Sequence, residues 1–159
     1  MDNEFLWEAL ADGTIDTVGT DHCPFNNRDK LAGKDDFRKI PNGAGGVEHR
    51  LQLLYTYGVC KGLITLNRMV DLFSTQPARI FGLYPIKGTI EPGSDADIVI
   101  WDPEAEDIIS ASTHHQNCDI NIYEGFRVKG KVRYVIAGGQ TVIEKGRLTN
   151  ERQGNFLTR

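Results

Sequence analysis

Phe5 and Ala9, and Leu6 and Leu10, fall four apart, the spacing of one face of an α-helix. This predicts a helix over 3–11 that Gly13 ends. A short strand over 14–20 is expected next, built on Ile15, Thr17 and Val18. From 21 to 46 the chain turns polar and rich in Asn, Asp, Lys and Gly, and a loop of that length inside a compact domain is functional or disordered. A helix over 47–57 follows, with Val47, Leu51, Leu54 and Tyr55 on one face and Gly58 as its stop. Another begins after Thr65 and carries Leu66, Met69, Val70 and Phe73; a third, short one has Pro77 in its first turn and Gly82 at its end.

Near Tyr84 the texture changes. Pro92-Gly93 marks a turn, and Ile98-Val99-Ile100-Trp101 is a compact β run that ends at Asp102-Pro103. Val132, Tyr134 and Ile136 alternate with Arg133 and Val135. Gly138-Gly139 then supplies a two-residue hairpin turn, 141–144 is the return strand, and Lys145-Gly146 turns again. The pattern predicts an α/β unit over 1–83, an antiparallel β unit over 84–149 and a loose polar tail over 150–159.

Composition narrows the classes. The 159 residues are long enough for one ordinary domain with its own core, and 40% apolar with 25% charged residues is ordinary for a soluble globular protein. A net charge of -4 with scattered Lys and Arg gives no basic field, so neither nucleic acid nor an anionic membrane surface is an expected partner. No apolar run is long enough to span a bilayer. Cys23, Cys60 and Cys118 are odd in number and widely spaced, which fits reduced thiols in a cytoplasm.

The richest chemistry lies in Asp16-Thr17-Val18-Gly19-Thr20-Asp21-His22-Cys23-Pro24-Phe25. A carboxylate that follows a β run and opens a long loop sits, in a parallel α/β barrel, at the catalytic rim. Asp21 there suits binding a metal or moving a proton; the same residue type also caps turns. In Ile40-Pro41-Asn42-Gly43-Ala44-Gly45-Gly46-Val47-Glu48, glycines just before a helix let backbone groups approach a ligand, or form a flexible turn with a cap. Neither a phosphate loop nor a dinucleotide fingerprint surrounds them. His22 is expected to anchor a loop or orient a neighbouring ligand, and His49 to lie on an exposed helix surface. Adjacent His114 and His115 point in different directions and belong to polar surface or a subunit contact. With no HxH, HExxH or CxxC, no standard pattern completes a metal site within this chain.

The run from Thr17 to Phe25 resembles the last barrel strand of dihydropyrimidinases and D-hydantoinases. So do Gly33-Lys34-Asp35-Asp36-Phe37, Ile40-Pro41-Asn42-Gly43, the run from Gly93 to Pro103, Thr113-His114-His115-Gln116 and Tyr123-Glu124-Gly125. The resemblance implies the C-terminal part of a metal-dependent (β/α)8 barrel followed by part of a small antiparallel β-sandwich, from a cyclic amidohydrolase. It implies two bridged divalent metals, usually zinc, held by four histidines and a carboxylated lysine from earlier strands and by Asp21 from the eighth. Asp21 would also carry a proton to the leaving amide nitrogen, while the main chain of Asn42 contacts the cyclic amide and Gly43 keeps that approach open. The earlier ligands lie upstream in the family pattern, so this chain alone is expected to be inactive, and its exposed barrel faces call for association, such as a homo-oligomer. Two alternatives stand beside this one. The collapsin response mediator proteins resemble the family but act in partner binding and lack the aspartate that Asp21 supplies. Allantoinases and dihydroorotases are nearer rivals, but the strings around Phe37 and Trp101 look more like dihydropyrimidinase and hydantoinase.

Overall fold

A computed structural model describes residues 2–149 together with 154, 156 and 157, so most of the tail over 150–159 lies outside the described residues. Helix α1 (Asp2–Asp12) forms as its spacing predicts, with Gly13 after it at φ 92, a left-handed conformation that suits glycine. The expected strand over 14–20 does not form among the described residues. A parallel strand exists only by its hydrogen bonds to neighbours, and the sole pairing here is an isolated parallel bridge between His22 and Ala44. Arg68 holds this irregular segment instead: Nε donates to Leu10 O (2.7 Å), Nη2 to Ile15 O (2.7 Å), and Nη1 pairs with Asp71.

Inside the polar stretch over 21–46 the chain makes a short helix α2 (Asn27–Leu31) and a 3-10 turn (Phe37–Lys39). Helix α3 (Arg50–Leu54) starts three residues later than expected and runs directly into a π turn (Tyr55–Val59). Gly58 is therefore inside the helix, not its stop. A Cβ there would sit 2.7 Å from Trp7 Cζ3, so glycine lets the indole of α1 approach the backbone. Helix α4 (Leu66–Val70) is capped by Thr65, whose Oγ1 accepts from Arg68 N (3.1 Å). It continues without a break through a second π turn (Asp71–Thr75) into α5 (Gln76–Ile80). The two helices expected after Thr65 are one continuous element, with Pro77 in the first turn of its last section. Leu54, Ile64, Met69 and the fully buried Leu72 form the core of this helical part, covered by Trp7, Leu10, Val18 and Phe73.

The β part is a four-stranded antiparallel sheet, in order β1 (Ile98–Ile108), β2 (Arg127–Ala137), β3 (Gln140–Glu144) and β4 (Arg147–Leu148). The hairpin expected over 131–144 is present, and Gly138 and Gly139 both have positive φ (51 and 81), as a tight turn of this hand needs. Strand β1 runs past its expected end at Asp102-Pro103. It lies at the sheet edge, and its register shifts between Asp102 and Glu106, so the missing N–H of Pro103 removes no ladder bond.

Strand β3 pairs only with residues 134–137 of β2, leaving the start of β2 without a neighbour on that side. Helix side chains fill the gap. Gln52 Nε2 donates to Gly130 O (3.1 Å), Thr56 Oγ1 accepts from Lys129 N (2.8 Å), and Tyr57 OH donates to Arg127 O (3.2 Å). Tyr55 meets Trp101 edge-on, ring centroids 5.5 Å apart, locking helix to sheet. Because Leu72 has no exposed surface, Leu72→Ala should lower stability by about 2–5 kcal/mol. A urea midpoint that does not move would contradict this placement of the core.

Candidate active site

Two segments far apart in the loop region lie side by side. Cys23 N donates to Ala44 O (3.1 Å), and His22 Nδ1 accepts from Gly46 N (3.1 Å) and Val47 N (3.4 Å). The His22 imidazole therefore anchors a loop, as its neighbouring position suggests. The parallel bridge between His22 and Ala44 sets Asp21 level with Gly43. Asp21 is exposed and has φ 43, a left-handed conformation uncommon outside glycine, although Asp adopts it more readily than most residues. Strain of this kind gathers at functional sites, where the surroundings hold it in place. Gly43 has φ 122, and a Cβ there would lie 2.6 Å from Cys23 O and 2.7 Å from Cys23 Cβ. Only glycine permits that approach.

Asn42 is exposed between two carbonyls that share one donor: Lys30 Nζ donates to Pro41 O (2.5 Å) and Gly43 O (2.7 Å). Lys30 also lies over the Phe25 ring, 4.9 Å from its centroid. Helix α2, which carries it, is fixed at its start by Asn26 N donating to Asp29 Oδ2 (3.0 Å) and by exchanges with the chain at Asp119. Nothing in the periodicity of the sequence singles Lys30 out. Its significance comes from the path that brings residues 41 and 43 back past α2, and from Gly33, whose closeness to Ile40 allows that return.

His49 is a correction. It is 5% exposed rather than on the surface, because the loop between β1 and β2 folds over it. Asn121 Nδ2 lies 2.8 Å from His49 Nε2 and 3.2 Å from His114 Nδ1, so one amide serves two rings, while His114 Nε2 reaches Cys118 O (2.8 Å). The contact at His49 is satisfied when its ring is neutral and Nε2 accepts from the amide. His115 points the other way, to Glu48 (2.7 Å), so the adjacent pair does diverge. Burial holds the His49 pKa below its ordinary value, against the opposing pull of Glu48. Burial also resists ionisation of Glu48, but its bonds from His115 outweigh that and leave its pKa lowered.

Among the described residues, no three His, Cys, Asp or Glu side chains converge. Asp21 offers one open oxygen donor of the kind a divalent metal accepts, and one carboxylate does not hold such an ion by itself.

The profile of the Amidohydrolase family matches residues 4–142. This chain belongs to that family. It is 46% identical to the D-hydantoinase of Ralstonia pickettii, over 99% of this chain and 35% of that protein. It is 51% identical to the dihydropyrimidinase of Rattus norvegicus, over 89% of this chain and 27% of that one. The fold superimposes on the D-hydantoinase (dihydropyrimidinase) of a Thermus species with TM-score 0.90 at 49% identity, covering 93% of this chain and 32% of that structure. The amidohydrolase chain thus spans about a third of the length of the relatives it matches. The expected class, an α/β part of a barrel followed by antiparallel β structure, is the one observed. The family is generally metal-dependent.

A folded-state pKa held down on His49 means that the unfolded chain takes up its proton first as pH falls. The associated stability is present above the ordinary histidine range and is lost as pH drops below it. Carboxylates with lowered values, such as Glu48, give up their share only at lower pH. Stability should therefore fall between about pH 7 and pH 5, and His49→Gln should flatten that slope in urea titrations; an unchanged slope in the variant would refute the buried neutral ring.

Proposed function

We propose that this chain supplies one wall of the active site of a metal-dependent hydrolase that opens cyclic amides or ureides, such as dihydropyrimidine or hydantoin rings, by C–N hydrolysis. The observation that carries this is the juxtaposition of an exposed, left-handed Asp21 with Gly43 beside Asn42, in a chain about half identical to hydantoinases and a dihydropyrimidinase. Asp21 is assigned as a metal ligand and as the group that moves the proton: its carboxylate takes a proton from the attacking water and returns it to the leaving amide nitrogen. One carboxylate can serve as base and then as acid because the proton it takes is the one it gives back. The main chain of Asn42 holds the ring amide, and Gly43, lacking a side chain, keeps that approach open. The metal, zinc in a two-ion site, would supply charge that polarises the ring carbonyl and makes water more acidic.

The remaining ligands would come from the part of the relatives' length that this chain does not cover. With this assignment goes a division at residue 83/84 into the end of a barrel and a share of a β-sandwich. Exposed Phe5, Leu6, Val99 and Ile100 would then pack against the rest of such an enzyme and against further copies in a homo-oligomer. Unpaired Cys23, Cys60 and Cys118 support a reducing, cytoplasmic setting. No described helix is long and apolar enough to cross a membrane.

In the metal-loaded enzyme that contains this chain, Asp21→Asn should leave folding intact and cut turnover by roughly two to four powers of ten; turnover within a few-fold of the parent would remove Asp21 from the role. The 159-residue chain alone should bind well under one equivalent of zinc and open neither dihydrouracil nor hydantoin, because a catalytic zinc needs about three protein ligands. Elemental analysis and a ring-opening assay with added zinc check this, and stoichiometric metal with turnover would contradict it.

A further inference from the structure

We propose that Lys30 is a positioning residue that aims the main chain of Asn42 at the bound ring; this rests on the assignment of Asn42 as the ring-binding residue. A trans peptide is planar, so its C=O and N–H point in opposite directions. Lys30 Nζ draws Pro41 O to within 2.5 Å, which turns the Asn42 N–H of the same peptide away from α2. The second bond, to Gly43 O at 2.7 Å, fixes the peptide that follows Gly43 and turns the Ala44 N–H the same way. On that far side lies the Asp21–Cys23 segment, bound through Cys23 N to Ala44 O. Asn42 sits between the two fixed peptides, and neither its own N–H nor its own C=O has a hydrogen-bond partner among the described residues. A donor and an acceptor left open on one exposed residue match the C=O and N–H of a cyclic amide.

Gly43 makes this hold necessary. At φ 122 without a side chain, the joint after Asn42 has the wide rotational freedom of a glycine. One ammonium bridging the carbonyls on either side restrains that rotation. It also polarises the Pro41–Asn42 peptide, so that its N–H donates more strongly to a ring carbonyl, as charge-assisted chains of hydrogen bonds do. Lys30 touches neither ring nor metal in this arrangement. It acts through Asn42.

The test uses the metal-loaded enzyme that contains this chain, with hydantoin and dihydrouracil as probes, and compares Lys30→Met, Lys30→Arg and Asp21→Asn. Lys30→Met keeps an unbranched stem over Phe25 but removes the ammonium that donates to both carbonyls. It should raise KM about tenfold, the loss of roughly one strong hydrogen bond, with kcat within about threefold and metal content unchanged. Lys30→Arg, which keeps a cation able to donate to both carbonyls, should restore KM to within about threefold of the parent. Should Lys30→Met fail to fold, Lys30→Gln, which keeps neutral donors, is expected to show an intermediate KM rise. A KM within twofold of the parent in Lys30→Met, or in Lys30→Gln where that variant stands in, overturns the proposal, as does a fall in kcat at constant KM. Asp21→Asn separates the two levels. If it leaves turnover of these rings intact, the assignment of Asp21 fails while ring opening stands; if it abolishes turnover while KM is untouched in the Lys30 variants, only the role of Lys30 falls. If the parent enzyme opens neither ring, the ring-opening assignment itself fails.

Discussion

The clasp of residues 21–23 against 43–47 organises the site. In the sequence these segments are some twenty residues apart, and the chain between them contains only a five-residue helix and a single 3-10 turn, neither able to hold a loop closed by itself. Closure rests on Cys23 N to Ala44 O and on one imidazole nitrogen that accepts from two successive amides at the entrance of α3. Those amides belong to the turn that leads into α3, whose first capping position is His49, so His22 ties that turn to the chain beside Asp21. The strained backbone of Asp21 and the glycine-only contact at Gly43 both sit on this seam. Losing the clasp would release both at once.

The seam is buttressed from the β side. After β1 the chain folds over His49 and presents Asn121, whose amide hydrogens serve two rings and whose Oδ1 accepts from Tyr123 N (3.0 Å). Asp119 meets the start of α2, and Glu48, the residue before His49, holds His115. Loop, helix and sheet are therefore joined by a polar network as well as by the Tyr55–Trp101 ring contact. Such networks are stiff when every member is satisfied and fragile when one is not.

How much of this could be read from the sequence depended on how local the cause is. The hairpin through Gly138-Gly139 was legible because alternation and turn chemistry are set by adjacent residues, and helix α1 by its own spacing. The strand over 14–20 was misread because a β run in sequence states only a preference, while a ladder needs a partner. His49 was placed outside because helix periodicity reports the faces of one element and cannot report a later loop laid over it. Strand β1 outran its expected end because a proline at an edge bulge breaks nothing. The Asp21 and Asn42 segments stood out through their residue types, but Lys30 did not. A lysine earns notice only when the carbonyls it reaches are known, and those depend on the full path of the loop.

The two π turns have a consequence for how this chain tolerates change in length. A π turn holds one residue more than an α turn of the same span, so Tyr55–Val59 and Asp71–Thr75 each behave like an accommodated insertion. An α-helix rotates about 100° per residue. In a regular helix a one-residue deletion would swing everything beyond it by that angle, but within 55–59 it would restore α geometry and leave the flanking residues nearly in phase. The cost would fall inside the turn itself, where Gly58 accommodates the Trp7 ring and Tyr55 and Thr56 reach Trp101 and Lys129. The irregular turns thus mark the two points where a chain one residue shorter would keep its helices in phase and lose only the contacts made within the turn.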